Sequence, residues 1–186
     1  MHSAAAAPHD ALAARLAAVK RLTLDVDGVL TDGRVYVDDD GRETKAFYAG
    51  DGLGIRRLQE GGVIVAFVSG SPSPSVRHRA ERLGVVHVLQ GTNDKLPGWR
   101  ALVAQLALVP SECAHMGDDL PDLPVLQASG VAITVAHAPP LVKQAAHYVA
   151  HTPAGRGAVR EVVELILAAR ASATAPGAAS TPLPRA

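Results

Sequence analysis

Apolar residues along this chain follow two rhythms. Runs of four to seven residues recur at "RLTLDV" (21–26), "VIVAFVS" (63–69), "VVHVL" (85–89), "CAHMG" (113–117), "VAITV" (131–135) and "HYVA" (147–150). They read as strands, and the nearly unbroken apolarity of 63–69 predicts a strand covered on both faces. Between them the apolar positions fall at helical spacing. Residues 52–61 carry Leu53, Ile55 and Leu58 and end at Gly61-Gly62. Helices are likewise predicted over 73–84, closed by Gly84, and over 95–108, with Pro97 tolerable only in the first turn. Residues 120–129, 139–146 and 157–170 complete the helical set. "RVYVDDDGRETKAF" (34–47) differs: Val35 and Val37 sit two apart, "DDDG" supplies a turn, and a second short strand follows.

Alternation of this kind predicts an α/β fold: a Rossmann-like, mostly parallel sheet flanked by helices, with a protruding β-hairpin at 34–47. A chain of 186 residues suits one domain with a sizeable core. Its expected extent is 21–170, behind an N-terminal lead-in helix within 1–20 and ahead of a disordered, Pro-rich tail over 171–186. Neither the gap after the first strand nor the gap from Lys95 to Asp118 has room for a separate cap domain.

Open sheets of this class bind ligands beyond the carboxyl ends of their strands. Those ends read Asp25-Val26-Asp27, then Ser69-Gly70, then Gly117-Asp118-Asp119, with Asp122 close behind and Lys95 opening a helix. A carboxylate at such an end can act as a nucleophile, and a second can give a proton to a leaving alcohol and then take one from water. Carboxylates that repel one another call for a hard cation, and Mg²⁺ with its preference for oxygen is the natural one. Ser69 offers a hydroxyl, Gly70 an N–H, and Lys95 a compact positive charge for phosphate oxygens. Each feature alone is ordinary turn chemistry; their occurrence together, each at a strand end or helix start, points to one site.

Composition narrows the partners. Lys plus Arg equals Asp plus Glu at 18 each, which leaves no electrostatic basis for binding nucleic acid or an anionic membrane. Aromatics are 3 %, so the core must be aliphatic. One cysteine, Cys113, precludes an internal disulfide and fits the reducing cytoplasm. No apolar run approaches the roughly 20 residues of a membrane span. His78, His87, His115, His137, His147 and His151 show no ligand spacing and read as surface or partly buried groups, with His115 facing away from the pocket. Cys113 reads as a core residue, Trp99 as a packing or subunit-contact residue.

The order of these segments resembles the haloacid dehalogenase superfamily of phosphatases. "DVDGVLTDG" looks like its first motif, Ser69 its second, Lys95 its third and "GDDLPD" its fourth. "DGLGIRRL", "QGTNDKL" and "GRGAVREV" extend the likeness to the capless subfamily of small sugar-acid phosphatases that includes the 3-deoxy-D-manno-octulosonate 8-phosphate phosphatases. The resemblance implies Asp25 as aspartyl nucleophile, and Asp27 as acid/base that also ligates Mg²⁺ through its carbonyl. It also implies Ser69, Gly70 and Lys95 on the phosphate, Asp118 on the metal, and Asp119 and Asp122 in support. It further implies a homotetramer in which the hairpin covers a neighbour's site, and a sugar-acid phosphate as substrate. The alternatives are another nonulosonate or sugar phosphate, or a non-catalytic tetramerisation domain. One departure stands out: Ser71 occupies the place of an Arg common after the second motif, and Gly50 that of an Arg or another polar residue. Ser cannot copy the bidentate grip of Arg on a carboxylate.

Overall fold

A computed structural model describes residues 8–174; the first seven residues and most of the expected tail, 175–186, lie outside the described residues. Six strands form one parallel sheet: β1 (Arg21–Leu24), β4 (Ile64–Ser69), β5 (His87–Gln90), β6 (Cys113–Met116), β7 (Val131–Val135) and β8 (Tyr148–Ala150). Their order is β5-β4-β1-β6-β7-β8, with every pairing parallel. The chain builds outward from β1 to β5 and then returns to place β6 on the other side of β1. That reversal opens a crevice beside the carboxyl ends of β1 and β6.

The helices are α1 (Pro8–Ala17), α2 (Ala49–Glu60), α3 (Pro74–Leu83), α4 (Lys95–Gln105), α5 (Leu123–Ala128), α6 (Pro140–Ala145) and α7 (Ala158–Thr174). Two packed series cover the sheet, α1, α7, α2 and α3 in one and α4, α5 and α6 in the other. The larger core joins Leu22 and Leu24 of β1 to Ile55, Leu58, Val163 and Ile166 of α2 and α7. A smaller cluster of Trp99, Val103, Cys113 and Val125 sits under α4 and α5. Trp99 is therefore a packing residue within its own chain and cannot be a subunit contact. α7 continues past Arg170 to Thr174.

The hairpin is present but slight. Its strands β2 (Tyr36–Val37) and β3 (Glu43–Thr44) pair antiparallel over two residues each. Asp38 closes the turn, its Oδ1 accepting the N–H groups of Asp40 and Arg42 at 3.0 and 2.8 Å. Val35, Tyr36 and Val37 stand exposed. Two paired residues with no apolar cover cannot hold a long ladder, which is why the strands stop so soon.

Candidate active site

The first motif is a turn built to carry carboxylates. The Asp25 N–H donates to the Met116 carbonyl at 2.9 Å, extending the ladder to β6 by one residue. The chain then coils, with the N–H groups of Leu30 and Thr31 donating to the Val26 carbonyl. Thr31 Oγ1 accepts from Gly28 and Gly33 at 3.3 and 3.2 Å. Gly28 has a φ of +87°, and a Cβ there would lie 2.1 Å from Asp118 Oδ2. Glycine alone lets the β6 loop press its acid against this turn. Asp32, later in the same turn, has an ordinary turn role, its Oδ1 accepting the Arg34 N–H at 3.1 Å.

Asp25, Asp27, Ser69, Gly70, Lys95, Asp118, Asp119 and Asp122 all line one cavity of about 490 Å³, with Gly33, Ser71, Asn93 and Pro121 completing its wall. Every site residue expected from the sequence is thus brought to one place. At its floor the buried Lys95 ammonium donates to Asp25 Oδ1 at 2.8 Å and to Asp122 Oδ1 at 2.7 Å. Asp122 Oδ2 accepts the N–H groups of Asp118 and Asp119 at 3.3 and 3.4 Å, so one carboxylate ties α4 to the acidic loop. Gly70 has a packing reason as well, since a Cβ there would lie 2.3 Å from Asn93 Oδ1. Ser69 Oγ accepts the Ser71 N–H at 3.2 Å.

The electrostatics follow from burial and neighbours. Burial and the Asp122 carboxylate push Asp25 up to about 8, against the pull of Lys95. Burial pushes Asp118 up to about 6. Burial alone would lower the Lys95 ammonium, but Asp25 and Asp122 raise it above its ordinary value. The site is short of positive charge for the acids it gathers. Oxygens of Asp25, Asp118 and Asp122 lie within 4.8 Å of one another, a hard-oxygen set that fits Mg²⁺. Asp122 is already engaged by Lys95 and by two backbone N–H groups, so Asp25 and Asp118 are the pair left to face a cation.

Comparison with known proteins agrees with this geometry. The haloacid dehalogenase-like hydrolase model matches residues 84–162. The 3-deoxy-D-manno-octulosonate 8-phosphate phosphatase KdsC of Yersinia pestis is 44 % identical over 156 residues, 84 % of this chain and 83 % of that protein. The chain belongs to this family. Among solved structures, the Moraxella catarrhalis phosphatase in complex with magnesium, phosphate and KDO superposes with a TM-score of 0.85 at 40 % identity, covering 87 % of this chain and 92 % of that one. A cobalt-bound phosphatase from Haemophilus influenzae gives 0.82 at 39 % identity, covering 85 % and 92 %.

Within the haloacid dehalogenase-like frame, four contacts escape the sequence reading. Lys45, on the strand side of the hairpin and almost wholly covered, pairs with Asp27 at 2.5 Å. Asn93 lines the cavity beside Lys95. His137 Nε2 lies 3.4 Å from Asp118 Oδ2. His115, read as a surface or partly buried group, lines no part of the cavity but is fully buried, with Nε2 3.0 Å from Asp122 Oδ1. The correction has a plain cause: Asp122 folds back beneath the loop in the turn Leu120–Asp122 and meets the β6 side chain from below. Lys45 and Asn93 carried a signal in their nearness to the hairpin and to Lys95; His115 carried none.

Proposed function

We propose that this chain hydrolyses 3-deoxy-D-manno-octulosonate 8-phosphate to the free sugar acid and phosphate. The observation that carries the reading is the Lys95 ammonium bridging Asp25 and Asp122 at the floor of a cavity whose wall holds Asp27, Ser69 and Asp118. The family relatives act on this substrate by name, which supports the same choice.

The roles follow from position. An Asp25 oxygen attacks phosphorus, and the bond to the sugar C8 oxygen breaks as Asp27 gives that oxygen its proton. Asp27 then takes a proton from water, whose oxygen attacks the phosphorus of the aspartyl-phosphate; the bond from phosphorus to the Asp25 oxygen breaks, freeing phosphate and the Asp25 carboxylate. Ser69 Oγ, the Gly70 N–H and Lys95 hold the phosphate oxygens. Mg²⁺, held by Asp25 and Asp118 with the Asp27 carbonyl, supplies the charge that lets an anionic carboxylate meet an anionic phosphate. Asp119 and Asp122 keep the metal loop and Lys95 in place. Lys45, bound to Asp27, steers the acid/base and ties the hairpin to it.

Assembly and location belong to the same proposal. The exposed Val35, Tyr36 and Val37 favour a homotetramer in which a neighbour covers the hairpin. A single buried cysteine favours the cytoplasm; among the described residues no helix is long and apolar enough to cross a membrane.

Phosphate release should be measured from 3-deoxy-D-manno-octulosonate 8-phosphate, a nonulosonate 9-phosphate and glucose 6-phosphate, in Mg²⁺ and in EDTA. The first substrate should give the highest kcat/KM, with activity lost in EDTA and regained on adding Mg²⁺. No release from any of them in Mg²⁺ overturns the proposal. Ser71, which lines the cavity where no described arginine does, favours a second reading. In that reading the carboxylate is weakly read and a neutral sugar phosphate is hydrolysed nearly as well.

A further inference from the structure

Beneath the cavity, on the face of β1 and β6 that α4 covers, lies an unbroken line of buried polar contacts. The Trp99 indole N–H, which can only donate, reaches Thr23 Oγ1 at 3.2 Å. That hydroxyl lies 3.1 Å from the Ala114 carbonyl and 2.9 Å from His115 Nδ1. His115 Nε2 lies 3.0 Å from Asp122 Oδ1, the same oxygen that accepts from Lys95. Asp122 accepts from the Lys95 ammonium at Oδ1 and from the Asp118 and Asp119 N–H groups at Oδ2, the pattern of an ionised carboxylate. An ionised carboxylate only accepts, so Nε2 is the ring nitrogen that carries a proton toward it. The Thr23 hydroxyl accepts from the indole N–H, and its own O–H can donate to the unprotonated Nδ1, which seats the ring in one orientation. Thr23, Trp99 and His115 are fully buried and line no part of the cavity, so none of them touches substrate.

We propose that His115, seated by Thr23 and Trp99, is a positioning residue: its Nε2–H fixes the Asp122 carboxylate, and through it both the Lys95 ammonium at Asp25 and the Asp118–Asp119 loop. The inference rests on the phosphatase reading for its effect on rate, but not for the contact itself. Without the imidazole donor, Asp122 loses its anchor to β6 and rests on Lys95 and the longer Asp118 and Asp119 N–H contacts alone, so the Lys95 ammonium is less firmly placed. A shift of the phosphate-binding cation by a fraction of an ångström is enough to be felt in the transition state.

The test combines kinetics with a readout that needs no turnover. In ¹⁵N-histidine-labelled wild type without substrate, long-range imidazole correlations should show His115 protonated at Nε2. The Thr23→Val variant, which removes only the hydroxyl, should broaden or shift that signal. On p-nitrophenyl phosphate in Mg²⁺, His115→Phe should lower kcat by about 10- to 100-fold, as loss of a supporting partner does. His115→Gln, whose amide can donate in the place of Nε2, should recover at least a third of wild-type kcat. His115→Phe retaining more than half of wild-type kcat overturns the proposal, and so do equal losses in the Phe and Gln variants, which would mark a packing role. If His115→Phe does not fold, an Nε2 found without its proton overturns the proposal by itself. Wild type inactive on every phosphate ester would sink the phosphatase reading, while the imidazole signal still decides whether His115 holds Asp122.

Discussion

Leu22 and Leu24 on one face of β1, and Arg21 and Thr23 on the other, are equally removed from solvent, yet the two faces are held by different physics. The leucines enter the aliphatic core with α2 and α7, where burial of each side chain contributes about 1.5–3 kcal/mol and asks nothing of direction. Across the strand, the Arg21 guanidinium lies 4.9 Å over the Trp99 ring, and its three nitrogens have no hydrogen-bond partner among the described residues. Burial lowers its ordinarily very high pKa. Cation–π attraction of about 2 kcal/mol offsets part of that desolvation. Thr23 beside it is satisfied on every side, and the line it starts runs to Asp25. The apolar face establishes that a strand lies here. The polar face, which demands distances and angles, establishes where the carboxylates of the cavity point.

The sharpest way to separate the faces is to remove the charge at the end of the polar one. Asp25→Asn should lower kcat on a sugar phosphate by about 10²-fold or more, since the attacking group is lost. Its melting temperature should not fall, because a buried carboxyl disfavoured by burial and by Asp122 is replaced by a neutral amide. Activity above about a tenth of wild type would remove Asp25 from the nucleophile's role.

On the apolar face the effect should be reversed in kind. Leu22→Ala should cost about 2–5 kcal/mol in urea unfolding, through lost transfer energy and the cavity left behind. The folded enzyme should keep its kcat within about threefold, as independent sites separated by a strand usually behave. A large fall in kcat with unchanged stability would mean that the two faces are not independent.

A third measurement sharpens the charge account. Asp25 and Asp118 lie near 8 and 6 rather than at 3.8, so the folded chain keeps protons that the unfolded chain has lost. Without metal, this contribution to stability is complete below about pH 4 and is lost as pH rises through 6 and then 8. Mg²⁺ needs both carboxylates ionised, so it competes with protons at pH 6 and hardly at all at pH 8.5. The rise in melting temperature on adding Mg²⁺ should therefore be roughly twofold or more larger at pH 8.5 than at pH 6. Equal rises would show that these acids are not the metal's ligands.

The smallest effect belongs to the hairpin. Val37 is 60 % exposed, so Val37→Ser should change the stability of a dilute, dissociated chain by no more than about 0.5 kcal/mol. A larger loss that appears only at assembly concentrations, seen by light scattering alongside thermal melts, would reveal a neighbour's cover.

Hydrophobic rhythm alone was enough to establish six strands, the helices between them and a mostly parallel sheet, though not its strand order, because period and burial are local properties that each segment carries in itself. The same rhythm located Asp25, Asp27, Ser69, Lys95 and Asp118, since a parallel sheet sends the ends of its strands to one edge whatever else the fold does. Local pattern could not say that the hairpin strands would shrink to two residues, for their length depends on what covers them. Nor could it pair Lys45 with Asp27 or aim His115 at Asp122. Those contacts join residues from separate elements: a hairpin and the loop after β1, a β6 side chain and a turn that folds back beneath it. A hydrogen bond is decided by tenths of an ångström and by direction, and only packing α4 and the acidic loop onto both sides of β1 and β6 supplies either. His115 looked idle in the sequence because strand alternation tells which face a side chain leaves from, not what the rest of the chain has placed there.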